Sequence, residues 1–233
     1  MNIALLGYGK MGKTTEKIAI SRGHDIVIKT SDEDGYDITK ADIAIDFSVP
    51  NAAFYNILNC FKNNVPVISG TTGWLHNYQD ALRFCKELDG AFIYASNFSL
   101  GVNIFFELNK QLAKLMNGLS NYKVSMEEIH HTQKLDAPSG TAITLAESII
   151  EAHGNYNNWS LKQSEANSIH INAKRTPDVP GTHSIKYSSP TDTIKIEHTA
   201  HNREGFALGA VIAAEWLLGK TGVFSMKDVL NIG

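Results

Sequence analysis

Short apolar runs alternate with longer amphipathic ones over residues 2 to 94. NIALLG, HDIVIK, DIAIDFS, PVISG and AFIYAS predict strands. KMGKTTEKIAISRG, NAAFYNILNCFKNN and LHNYQDALRFCKELDG predict helices, the first closed by Gly23. Strands alternating with helices of this length indicate βαβ units and a parallel sheet. Their continuous apolar character suits a sheet covered on both faces.

Near residue 100 the pattern changes. SLGVNIFFELNKQLAKLMNG reads as a long helix, YKVSMEEIHH alternates like a half-exposed strand, and TAITLAESIIEAHG is another helix. SIHINAKR, HSIKYSS and TIKIEHTAHN follow as strands with no helix between them, which predicts a second, mixed or antiparallel sheet. EGFALGAVIAAEWLLG is apolar on most faces and is expected to pack back onto the first domain, while residues 155 to 168 are the most loop-like stretch. The expected fold is α/β: a Rossmann-type parallel-sheet domain at 1–99 plus 203–233, with a second α+β domain on a mixed or antiparallel sheet at 100–202.

Composition narrows the partners. The 233 residues are 43% hydrophobic and 19% charged with a net charge of -3 and no long basic run, so a nucleic-acid surface is not expected. No apolar run approaches the ~20 residues of a membrane helix. MNIALLGYGKMG reads as a strand entering a loop, not as a signal peptide. Cys60 and Cys85 form no CxxC pair and read as reduced thiols of a cytoplasmic protein.

Gly7-Tyr8-Gly9-Lys10-Met11-Gly12 is a GxGxxG directly after a strand and opening a helix. Gly7 allows the tight turn, Gly9 lets a pyrophosphate approach the backbone, and Gly12 lets the helix sit close to the sheet. An acidic residue gripping the adenine ribose should end the second strand, but Lys29, Thr30 and Ser31 stand there, with Asp25 at the wrong end and Asp32 slightly late. A lysine suits a 2′-phosphate better than a ribose diol, which favours NADPH; the alternative is a solvated surface lysine. Lys10 could add charge to the same region. Three further strand ends should line the cofactor crevice: Asp46-Phe47-Ser48, Gly70-Thr71-Thr72-Gly73 and Ala95-Ser96-Asn97-Phe98.

The strand end EEIHHTQKLDAPSGTA is the polar counterpart. His130 and His131 should point to opposite sides of their strand. Lys134 follows in a loop, Pro138 biases Ala137 away from helix, and Ser139 is a natural N-cap for a helix beginning near Thr141. The N–H groups of Gly140 and Thr141, with the hydroxyls of Ser139 and Thr141, make an anion cradle. A lysine beside it points to a carboxylate or phosphate ligand. Beside a hydride donor, lysine and histidine serve reduction of a carbon–nitrogen or carbon–carbon double bond, since hydride goes to one atom and a proton to its neighbour. No HExxH or paired Cys/His spacing appears, so no metal is expected, and no G-x-S-x-G elbow surrounds Ser139.

The run from Glu128 through His130, His131, Lys134, Asp136, Pro138, Ser139, Gly140 and Thr141 to Ala142 closely resembles the signature of the 4-hydroxy-tetrahydrodipicolinate (dihydrodipicolinate) reductase family. GYGKMG, IDFS, GTTG, ASNFSLGVN, RTPDVPGTH and the end from HTAHNREGFALG to MKDVL extend the likeness over most of the chain. The resemblance implies NADPH and/or NADH as cofactor, a cyclic dicarboxylate as substrate, and a homotetramer. It implies that His130 is the proton donor/acceptor, Lys134 the proton donor, and His131, Gly140 and Thr141 the dicarboxylate ligands. Residues 7 to 12, 70 to 72 and 95 to 98 would be cofactor loops, with Arg203 and Phe206 where the chain returns to the nucleotide. Two departures stand out: the acid after the second strand is missing, and the hairpin between PGTH and IKIEHTAHN reads as deleted, with only SIKYSSPTD in its place. An amino-acid dehydrogenase of similar two-domain plan and a non-catalytic nucleotide sensor are the rival readings.

Overall fold

In the computed structural model, which describes residues 1–30, 35–162 and 167–232, the first apolar runs form β1 (Asn2–Leu6), β2 (Asp25–Thr30), β3 (Ile43–Asp46), β4 (Val67–Ser69) and β5 (Ala91–Tyr94). β1, β3 and β4 are almost wholly buried, as strands covered on both faces must be. Between them lie α1 (Lys10–Ser21), α2 (Pro50–Lys62) and α3 (Tyr78–Glu87). α1 stops at Ser21 because the chain turns left-handed at Gly23, φ +83°, whose N–H reaches the Ile20 carbonyl at 2.9 Å. Pro50 opens α2, where its missing N–H costs nothing. Leu75–Asn77, expected as helix, is a separate 3-10 turn leading into α3.

The second half contributes α4 (Leu100–Met116), β6 (Lys123–His130), α5 (Gly140–Ala152), β7 (Asn158–Ser160), β8 (Ser168–Arg175), β9 (Gly181–Ser188) and β10 (Thr193–Ala200). These strands form a mixed sheet in the order β10-β9-β6-β8-β7, with β6–β8 and β7–β8 parallel and the other pairs antiparallel. Met126, Ile169, Ile171, Ile185 and Tyr187 pack against Phe105, Ala113, Met116, Leu145 and Ile149 of α4 and α5, while alternate residues of β6 are only half-buried. Two expectations need correcting. The stretch 155 to 168 holds β7, three residues being too few to display a period; its residues 163–166 lie outside those described. The hairpin is not deleted either. β9 and β10 pair over eight residues, joined by a short turn where the Ser189 N–H meets the Asp192 carbonyl at 2.9 Å.

The chain then returns through α6 (Glu204–Leu217), β11 (Gly222–Phe224) and α7 (Met226–Leu230). α6 buries Ala210, Val211, Ala214 and Leu217 against Ile3, Leu5, Ile45 and Ile93. Gly209 is required at this contact, since a Cβ there would lie 1.8 Å from the Phe98 carbonyl oxygen. β11 and α7 were not read from the sequence; β11 joins β5 and completes a six-stranded parallel sheet, β11-β5-β4-β3-β1-β2. Two compact units result, Met1–Asn103 with Arg203–Gly233, and Ile104–Asn202, the division falling a few residues inside α4.

Candidate active site

In the first unit, Leu6, Asp46, Ser69 and Tyr94 stand in one register across β1, β3, β4 and β5, with Thr30 beside Leu6. The loops following these strands therefore open along one edge of the sheet. The chain leaves β1 toward β2 on one side and returns to β3 on the other, which places the topological switch point at the Gly7 loop. Gly7 has φ +94°, and a Cβ there would sit 2.2 Å from the Phe47 carbonyl oxygen. A Cβ on Gly9 would meet nothing within 4 Å, so an anion can come up to this backbone and to the first N–H groups of α1. A Cβ on Gly12 would lie 2.4 Å from the Gly7 carbonyl oxygen, so this glycine seats α1 on the loop itself, a closer partner than the sheet face expected for it. These features fit a dinucleotide. Tyr8, Lys10 and Met11 complete the loop, with Lys10 exposed.

The other strand ends are tied together by Asp46, which the sequence reading passed over as a ligand-lining residue. Its fully buried carboxylate accepts hydrogen bonds from Ser48 at 2.6 Å, Ser69 at 2.7 Å, Thr71 at 2.8 Å and Asn56 at 3.1 Å. Burial pushes this carboxyl up from its ordinary pKa against the pull of those donors. Thr71 therefore spends its hydroxyl inward, while Thr72 stays exposed. Gly70 admits the Phe47 ring, with which a Cβ would collide at 2.1 Å, and that ring meets Phe98 edge-on at 6.1 Å. In the Ala95–Phe98 loop, Ser96 is exposed, and Asn97 turns its side-chain oxygen back to the Ser99 N–H at 2.9 Å. Arg203 caps α6 with its side chain exposed, and Phe206, in the first turn, is half-buried.

Lys29 is half-exposed at the end of β2 and pairs with Glu16 of α1 at 2.5 Å; Glu16 also accepts the Tyr8 hydroxyl. The lysine stands 5.2 Å from the centre of the Tyr8 ring. Lysine and carboxylate stabilise one another's charged forms, raising the Lys29 pKa and lowering that of Glu16. Ser31 and Asp32 lie outside the described residues.

In the second unit, β6 ends at His130, so His130 faces inward and is 7% exposed, while His131 begins the loop half-buried. Ser139 caps α5 as expected, accepting the Ala142 N–H at 3.2 Å, and α5 starts one residue early at Gly140. The Ser139 hydroxyl is buried and also lies 3.1 Å from His183 Nε2, so it serves the cap. The N–H groups of Gly140 and Thr141, at the first turn of α5, are among those left without an intrahelical partner. Lys134 Nζ donates to both Asp136 oxygens at 2.8 Å.

Three residues beside His130 and Ser139 fall within the family-like runs but were given no role in the sequence reading: Glu128, Arg175 and His183. Glu128 lies on the His130 face of β6, and the period-2 alternation of MEEIHH carried that signal. Its side chain is wholly buried; one oxygen meets Arg175 at 3.2 Å and the other accepts the Ser139 N–H at 3.0 Å. Burial opposes ionisation, but donors from His183 and Ser139 and the neighbouring His130 outweigh it and hold the carboxyl at about 2. His130 is pushed down to about 4, first by burial and then by the repulsion of His183, with Glu128 pulling the other way. Glu128, His130 and His183 bring three ligating atoms within 4.8 Å of one another. Both oxygens of the carboxylate are already engaged and its charge is matched by Arg175, so an added cation would meet that guanidinium.

Two family models match the chain: dihydrodipicolinate reductase, N-terminus, over residues 1–98, and dihydrodipicolinate reductase, C-terminus, over residues 101–230. A 4-hydroxy-tetrahydrodipicolinate reductase of Christiangramia forsetii is 58% identical over 99% of this chain and 98% of its own. One from Methanoregula boonei is 35% identical over 83% of this chain and 76% of its own. A dipicolinate-bound dihydrodipicolinate reductase from Paenisporosarcina sp. TG-14 shares the fold, with a TM-score of 0.77, 23% identity and 97% coverage of both chains.

Proposed function

The chain belongs to the dihydrodipicolinate reductase family, and from that premise we infer how its own residues divide the work. It is an NAD(P)H-dependent oxidoreductase that reduces 4-hydroxy-tetrahydrodipicolinate to tetrahydrodipicolinate, with loss of water, in lysine and diaminopimelate biosynthesis. The observation that carries the residue assignment is the junction of β6 and α5, where His130, Lys134 and the N–H groups of Gly140 and Thr141 fall within twelve residues, 130 to 141.

When bound, the reduced nicotinamide supplies the hydride. The Gly7–Gly12 loop and the start of α1 hold the pyrophosphate through backbone N–H groups. Phe47, the 70–72 loop, the 95–98 loop, Arg203 and Phe206 line the rest of the cofactor site, and Lys29 meets the adenine ribose or its 2′-phosphate. Gly140, Thr141 and His131 receive the substrate carboxylates. Lys134 leaves Asp136 to give its proton to the ring atom adjoining the one that takes hydride. His130, whose pKa of about 4 leaves it neutral at pH 7, gains a proton readily only when a dianionic ligand stands beside it, since opposite charge favours the imidazolium. That couples proton uptake by His130 to substrate binding.

Among the described residues, no helix is long and apolar enough to cross a membrane. We place the enzyme in the cytoplasm, where Cys60 and Cys85, both buried, stay reduced. A homotetramer is the assembly we assign, supported by β10, an edge strand on which Ile194 is exposed although it lies on the same face as the half-buried Ile196 and His198. Turnover is tested by following NADPH absorbance in the presence of freshly generated 4-hydroxy-tetrahydrodipicolinate. Replacing His130 and Lys134 together by Ala should abolish turnover while NADPH still binds; near-normal turnover in that variant would remove both residues from the mechanism.

A further inference from the structure

We propose that Arg175 is a positioning residue for Lys134, acting through the backbone of the 131–138 loop with Glu128 as its buried counter-charge. The proposal rests on the reading of Lys134 as the proton donor. Arg175 closes β8 directly beside His130 of β6. Its Nε donates to the Lys134 carbonyl at 3.2 Å and its Nη2 to the Asp136 carbonyl, the residues either side of Leu135. The same guanidinium meets Glu128 Oε1 through Nη1 at 3.3 Å and Nη2 at 3.2 Å, and Nη1 also donates to the Lys174 carbonyl at 2.7 Å.

Among the described residues, few other bonds tie the middle of this loop to the sheet. Lys134 directs its ammonium to Asp136, two residues on, and its own N–H to the His131 carbonyl, so both bonds stay within the loop. Leu135 is 96% exposed, so apolar packing does not hold down the middle of the loop, and it is Pro138 at its far end that is buried. The fixed fork of a guanidinium can bind a carboxylate and two carbonyls at once, which the single point of an ammonium cannot. Glu128 extends the effect: its second oxygen fixes the Ser139 N–H, so one buried ion pair sets the register between the lysine loop and the N-terminus of α5. Arg175 itself touches neither reacting atom in this assignment.

The test is a double-mutant cycle on the full-length enzyme with Arg175→Lys, Lys134→Ala and the two combined. Arg175→Lys keeps the charge opposite Glu128 and removes the fork. It should lower kcat by about 10- to 100-fold, as expected of a displaced catalytic group, with the KM for NADPH within about twofold of wild type. Lys134→Ala alone should lose about 10²- to 10⁴-fold. In the Lys134→Ala background Arg175→Lys should cost less than about twofold, because the group it positions is gone. A merely structural role would give the same loss in both backgrounds, and that result overturns the proposal, as does an Arg175→Lys enzyme with unchanged kcat. If Lys134→Ala turns over normally, the assignment of Lys134 itself is wrong and this proposal falls with it. Should Arg175→Lys fail to fold, Arg175→Gln, which can still reach one carbonyl, takes its place in the same cycle.

Discussion

Glu128 and His130 stand two residues apart on one face of β6, and the carboxylate oxygen lies 3.5 Å from the imidazole Nδ1, which forms no hydrogen bond. The carboxyl is held at about 2 and the imidazole at about 4, so at neutral pH the pair is a carboxylate beside a neutral ring. A negative neighbour at this distance would ordinarily charge the histidine; burial and the adjacent His183, Lys134 and Arg175 prevent it.

Acid should therefore destabilise the fold in two stages. The folded His130 has a lower pKa than the ordinary 6.5, so the unfolded chain takes the proton first and stability falls as pH drops from about 6.5 toward 4. The stability contributed by Glu128 is complete above its ordinary 4.5 and is lost as pH falls toward about 2. His153 and His198, also pushed down by burial, act in the same sense as His130. His130→Asn should accordingly lose less stability than wild type between pH 7 and pH 5, read as the shift in urea midpoint. Equal shifts in the two proteins would contradict the low imidazole pKa.

Gly7 and Gly9 should separate folding from cofactor binding. Gly7→Ala forces a side chain to positive φ and into the Phe47 carbonyl, and should cost about 1–3 kcal/mol of stability. Gly9→Val has room for its Cβ at ordinary φ, so its melting temperature should stay close to wild type, while the bulk blocks the phosphate approach and NADPH affinity falls at least about tenfold. The check is a thermal melt beside a fluorescence titration with NADPH. Undiminished affinity in Gly9→Val would place the pyrophosphate elsewhere.

Lys29 and Glu16 bear on the choice of cofactor. The ammonium is neutralised by Glu16 at 2.5 Å, so a 2′-phosphate has to compete with a carboxylate for it. Lys29→Ala should raise the KM for NADPH by about 5-fold and leave that for NADH within about twofold, since only the 2′-phosphate gains from the exposed charge. Glu16→Gln should lower the KM for NADPH. Equal changes for the two cofactors in Lys29→Ala would assign this lysine to the fold alone.

The alternation of strand and helix in the first half was legible because a doubly covered parallel sheet writes itself as apolar runs separated by amphipathic ones. The GxGxxG and the Ser139 cap were legible because backbone geometry admits few residues at those positions. β7 and β11, three residues each, lie below the length at which a period can be seen. Arg175 and His183 reach the site from β8 and β9, through strand pairings more than 40 residues apart in sequence, and no local spacing encodes that. The GTH-to-IEH segment misled for a related reason: length alone does not say whether two strands pair across it, and here β9 and β10 do.

Asp46 supplies the last prediction, because it links two loops that the sequence read as independent cofactor contacts. Its carboxylate, itself fully buried, holds the half-buried Ser48 of one loop, the buried Ser69 at the end of β4 and Thr71 of the loop after it, and the half-buried Asn56 of α2. Asp46→Ala strands those four donors and should cost about 3–5 kcal/mol, the range for breaking a buried charged network. Asp46→Asn keeps the shape and one acceptor, and burial already raises the pKa of this carboxyl, so the loss should be smaller, about 1–2 kcal/mol. Because the Phe47 and Gly70–Thr72 loops lose their common anchor, NADPH affinity should fall in Asp46→Asn by more than any loss of its melting temperature accounts for. Urea denaturation beside an NADPH titration at 10 °C separates the two effects. Wild-type affinity in a measurably destabilised Asp46→Asn protein would show that the two loops hold their places without this carboxylate.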